Sequence, residues 1–201
     1  MKQIISIIAC GTIMLITLAA CSGDNSPLGK LPVIIADACK QQDEINEKAK
    51  HDKDRDSKLF VKAMEIQDEI YEKVLKEGER LKGKEIPSSA GKDTYDFIKI
   101  DKVLIDRVQY DMRWNSVTVD IILVPTDDYN AHLVPEGSKI YYTAIDQGDN
   151  ILKAYSCSYG YLTGRLIFGR SGPATLEQWM KFKEIKFITQ KEYEKIPYKL
   201  R

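Results

Sequence analysis

The chain has 201 residues, 43% of them hydrophobic and 30% charged, a composition that excludes disordered and fibrous classes. Thirty basic side chains balance thirty acidic ones, for a formal charge of zero. No global basic field is available to gather nucleic acid, so nucleic-acid binding is excluded as the expected function.

Lys2 precedes an apolar run from Ile4 to Ala20, interrupted by Gly11 and Thr12, and the small residues Ala19 and Ala20 lead into Cys21. A membrane-spanning helix needs roughly 20 apolar residues; this run is shorter and has the architecture of an export signal. The ending Leu18-Ala19-Ala20-Cys21 resembles the lipobox of bacterial lipoproteins. The resemblance implies that residues 1–20, Cys10 included, are removed, that the Cys21 thiol receives a diacylglycerol, and that the new amine is often acylated. Two or more acyl chains hold a protein stably on a membrane where one is marginal. Ser22, where Asp would resemble an inner-membrane retention signal, leans towards the outer membrane of a two-membrane host. The expected location is therefore the bacterial cell envelope, with the membrane as a partner through Cys21.

Residues 21–32 hold Gly23, Pro27, Gly29 and Pro32 among polar side chains and read as a flexible tether. A helical segment is predicted over 33–86, because no Gly or Pro falls between Val33 and Glu77. Ile34, Ala38, Ile45 and Ala49 share one side. Leu59, Ala63, Ile66, Ile70, Val74 and Leu81 form a second stripe, with Phe60 and Tyr71 alongside. Residues 50–58 are polar all round, which suits either the exposed middle of one long helix or the bend of a helical hairpin. Gly78 and Gly83 weaken the helix end, and residues 87–91 read as a linker.

From 93 to 201 the apolar period becomes two. Ile98 and Ile100, Val103 and Ile105, then Val108, Tyr110, Met112 and Trp114 alternate, and a turn at Asn115-Ser116 leads to Val117, Val119, Ile121 and Leu123. Residues 125–138 read as a loop. Strands follow at 139–145, 151–159, 162–168 and 182–189, with a turn at 147–150 and a helical turn within 173–180. The expected fold class is α+β: an N-terminal amphipathic helix or helical hairpin, then an antiparallel β-sheet or β-sandwich domain. Residues 141–152 resemble a hairpin of immunoglobulin-like sandwiches in secreted bacterial proteins.

The chemistry-bearing residues are sparse. His51 and His132 have no companion ligands, and Asp146, Asp149 and Asn150 suit a turn better than a calcium ion. No metal or cofactor is expected. The stretch from Gly169 to Pro173 suits a β-turn better than a nucleophile elbow. Cys39 and Cys157 are a candidate disulfide, competing with two separate thiols. Tyr155, Tyr159 and Tyr161 form the candidate binding surface, competing with an ordinary packing role in strands. Asp101, Asp106, Asp111 and Asp120 fall on the solvent-facing phase of the strands, and nothing pairs them into a catalytic set. The expected function is an envelope lipoprotein acting as a non-catalytic binding or scaffolding module with a protein partner. The alternatives are a carbohydrate-binding module using the tyrosines, or a glycan hydrolase with an unrecognised carboxylate pair.

Overall fold

The computed structural model describes residues 26–51, 57–89, 94–111, 114, 116–127, 130, 132, 134–158, 163–169 and 180–201. Two helices, α1 (Leu31–His51) and α2 (Ser57–Leu81), precede strands β1 (Glu85–Ile86), β2 (Ser88–Ser89), β3 (Ile100–Asp111), β4 (Ser116–Pro125), β5 (Lys139–Asp146), β6 (Ile151–Ser158), β7 (Thr163–Gly169) and β8 (Phe182–Ile188). A short helix α3 (Gln190–Lys195) and a 3-10 turn (Tyr198–Leu200) complete the order. The class is α+β, as the change of apolar period predicts.

The helical segment is two packed helices rather than one rod. The Lys30 N–H at the start of α1 donates to Glu77 Oε1 near the end of α2 at 2.8 Å, so the pair runs antiparallel. Glu77 is buried, and the Arg80 guanidinium beside it holds its carboxyl below the usual range. Leu31, Ile35, Ala38 and Cys39 of α1 share one buried cluster with Ile70, Val74 and Leu81 of α2, and Ile45 continues the buried face of α1. Residues 26–30, expected to be tether, form a turn in which Leu28 is completely buried. Its apolar side chain is worth about 1.5–3 kcal/mol in that position, enough to pin the segment.

The strands form two four-stranded sheets, in the orders β1-β3-β4-β7 and β2-β8-β5-β6. All pairings are antiparallel except that of β2 with β8. The expected linker passes the chain between sheets: Pro87 separates β1 in one from β2 in the other. The register of β3 on β4 slips between Ile100 and Lys102 and again between Ile105 and Arg107. Each bulge reverses which parity points inward, so Ile100, Val103, Ile105 and Val108 are all buried. Those are the positions where the apolar alternation in the sequence changes phase. The β3–β4 pairing ends at Asp111 and Ser116, three residues short of the expected strand end at Trp114, which lies exposed in the turn.

The inner faces meet in a single core of Val103, Ile105, Val119, Ile121 and Leu166 from one sheet and Ile140, Tyr142, Ala144, Ile185 and Phe187 from the other. Tyr142 crosses it: its hydroxyl accepts the Arg165 N–H of β7 at 3.1 Å and occupies the space a Cβ at Gly164 would need. Strand β5 lies between β8 and β6 and is buried on both sides, which explains its near-continuous apolar run. On the side away from the core, Tyr193 of α3 packs on Tyr141 with ring centroids 4.9 Å apart. A capping box between Thr189 and Glu192 starts α3.

Candidate interaction groove

Helix α2 carries a second apolar row besides its buried one. Phe60, Met64, Tyr71 and Leu75 stand at i, i+4, i+11 and i+15, which places them on one face, with Val61 beside them. Each is 40% to 68% exposed. Single exposed apolar residues are normal on a soluble surface; a row along one helix is not, and marks an interaction face.

Gly78 sets how closely that helix approaches the sheet. A Cβ there would lie 2.8 Å from the Val108 Cβ of β3, closer than two carbons pack. The close approach shapes a cleft of about 290 Å³ lined by Tyr71, Leu75, Gly78, Asp106, Val108 and Gln109. The apolar row therefore ends in a recess, so the two features form one groove along α2 onto β3. Its base is rigid, because Val74 and Leu81 on the adjoining face are 1% exposed.

Glu65, Asp68, Glu72 and Glu79 border the row on one side, at spacings that continue from Val61, and all four are exposed. Lys76 lies one step further round. Arg107, at the edge of the cleft, is committed elsewhere: its Nη2 donates to Asp120 Oδ2 at 2.9 Å. Arg165 Nε approaches Asp120 Oδ1 from the other neighbouring strand at 3.1 Å, though not along the N–H direction. Asp120 thus lies on the solvent-facing phase, as read from the sequence, yet the flanking arginines bury it. It forms a cross-strand clamp with the two arginines.

Of the tyrosine surface, the structure describes Tyr155 alone. Tyr155 stands directly opposite Tyr142 and stacks on it at 5.3 Å, inside the sandwich. Burial raises the Tyr155 hydroxyl's pKa well above its usual value. The hydroxyl lies near the Ile167 backbone without closing a well-aligned hydrogen bond. Tyr155 is half-buried and packs against the core with its hydroxyl turned inward, while Tyr159 and Tyr161 lie outside the described residues. The candidate Cys39–Cys157 disulfide is corrected, since the two cysteines are not bonded to one another. Cys39 lies between α1 and the Tyr110 side of the first sheet, whereas Cys157 sits in the second, where burial pushes its thiol up to about 11. Cys21 lies outside the described residues.

Asp146 accepts the Gly148 and Asn150 N–H groups at 2.8 and 2.9 Å, and Asp149, at φ +59°, binds Lys183. These oxygens close a turn. Among the described residues, no group of three or more His, Cys, Asp and Glu side chains is placed to hold a metal ion. The His51 side chain lies outside the described residues, and His132 is exposed. A wider recess of about 550 Å³ lies at the end of the second sheet, between Thr94, Phe97, Lys139 and Gln190. The Tyr95 hydroxyl beneath it accepts the Tyr141 N–H at 2.7 Å and lies within hydrogen-bond distance of the Tyr141 and Ile188 carbonyls. That hydroxyl holds two strands together and is not available to a ligand.

The sequence reading noted Phe60 and Tyr71 beside the buried stripe but missed the row they form with Val61, Met64 and Leu75. Their shared offset from the buried stripe was the available signal. Compared with known proteins, the chain matches no family model, no curated protein and no solved structure.

Proposed function

We propose that this chain is a membrane-tethered, non-catalytic binding module that offers the groove along α2 to a protein partner. The observation that carries the reading is the exposed row Phe60, Met64, Tyr71 and Leu75 running into the cleft over β3. A helix whose other face is buried holds such a row in fixed geometry, which lowers the ordering cost of binding. The tether rests on the Leu18-Ala19-Ala20-Cys21 ending and its resemblance to a lipobox. A lipid on Cys21 would leave only Ser22 to Asn25 between the anchor and the folded turn at Ser26, so the groove would work close to a membrane surface.

Two experiments test the two halves. Metabolic fatty-acid labelling should mark the wild-type chain and not Cys21→Ala; equal labelling would remove the anchor. A photoreactive residue at Met64, irradiated in cells, should give one discrete adduct that the same residue at exposed Glu136 does not. The adduct's partner, purified, should then bind the chain directly. No adduct at Met64, or the same pattern from both positions, would refute the binding module.

A further inference from the structure

We infer that the occupant of the groove is an amphipathic helix with basic side chains along one border of its apolar face. The inference rests on the binding-module reading and specifies its partner. From Phe60 to Leu75 the row is about 22 Å long at 1.5 Å per residue, the length of about four turns of a docked helix. Helix-in-groove recognition uses anchors at this spacing. The cleft at the Leu75 end has room for one large apolar side chain, the usual form of a dominant anchor.

The charge along the border decides between occupants. Glu65, Asp68, Glu72 and Glu79 form an acidic line at the edge of the row. Helices that lie in membrane surfaces border their apolar face with Lys and Arg, so this face is the wrong sign for an anionic bilayer. A second copy fails for a related reason. The antiparallel pairing that sets Phe60 on Leu75 and Met64 on Tyr71 also brings Asp68 onto Asp68 and Glu65 onto Glu72. Like charges so placed suppress association, whereas lysines or arginines on a partner helix complement all four positions.

The test uses the full chain in zwitterionic lipid nanodiscs and two labelled synthetic helices. Both carry the same apolar face, one bordered by lysines and the other by glutamates. Anisotropy should show binding of the lysine-bordered helix, weakening as salt rises. The glutamate-bordered helix should bind about tenfold or more weakly, a difference of about 1.4 kcal/mol. Glu65→Lys, Asp68→Lys, Glu72→Lys and Glu79→Lys together, all at exposed positions, should melt close to the wild type and reverse the preference. Equal binding of both helices, binding of neither, or an unchanged preference in the charge-reversed variant would overturn the inference. So would a concentration-dependent dimer, or binding to anionic vesicles, that Met64→Glu abolishes. A Met64 cross-link that persists through any of these failures leaves the binding module standing and removes only the basic helix.

Discussion

Gly78→Ala separates two opposed effects in the same residue. In an open helix the change would stabilise by about 1 kcal/mol, because Gly is the poorest helix former after Pro. Here the new methyl would lie 2.8 Å from the Val108 Cβ. Overpacking of that kind costs about 1–3 kcal/mol, so the contact outweighs propensity and the net loss is about 1 kcal/mol. For a domain of this size that lowers Tm by about 2–4 °C. Val108→Ala should not relieve the clash, because the nearest atom is the Cβ that alanine keeps; Val108→Gly should. The neighbouring exposed Glu79→Ala should stay within about 0.5 kcal/mol of wild type. Denaturant unfolding of the single and double variants gives the coupling energies. A Gly78→Ala chain as stable as wild type or more so would refute the close approach of α2 to β3, and with it the shape of the cleft.

Glu77→Gln should destabilise by about 2 kcal/mol at neutral pH, since the Lys30 N–H and Arg80 lose a charged acceptor. Glu77's folded pKa is depressed, chiefly by the Arg80 hydrogen bond, so its contribution is complete above the unfolded value of about 4.5 and lost as pH falls through the folded one. Urea midpoints between neutral and acidic pH should accordingly converge for wild type and Glu77→Gln. Asp120→Ala should cost about 1–2 kcal/mol, a figure discounted because Arg107 and Arg165 are more than half exposed; an unchanged midpoint would show that the clamp contributes nothing. Tyr155→Phe should fall within about 0.5 kcal/mol of wild type or be slightly more stable, because the hydroxyl it removes is buried without a partner. Tyr95→Phe should lose about 1–2 kcal/mol with the hydrogen bonds to Tyr141 and Ile188. Equal losses in the two variants would contradict the placement of both rings.

Five of the six longer strands were legible because their apolar period is close to two, and β5 because a short apolar run is bounded by turn residues. The turn from Asp146 to Asn150 is closed by the residue types that announce it. Strands β1 and β2 have two residues each, too few to show a period, and their pairing depends on partners far along the chain. Helix α3 had a readable signal in Thr189 and Glu192, a capping box, but the preceding apolar alternation ran over it. Parity assigned Tyr155 to a face without saying which face was inside. Only its pairing opposite Tyr142 settles that. Gly78 reads in sequence as a weak point in a helix, and only the nearness of Val108 makes it a packing requirement. The groove was half legible: spacing alone gives the row on α2, but the sequence does not say which of two apolar rows the fold buries.

The most direct measurement of the binding role pairs a melting temperature with a cross-link yield. Met64→Glu with Leu75→Glu changes two exposed residues of the row and leaves the buried face intact. The double variant should melt within a few degrees of wild type, consistent with substitutions at exposed positions. A photoreactive residue at Phe60 should lose its in-cell adduct in that background. An undiminished adduct from a folded double variant would contradict the groove along α2 as the binding surface.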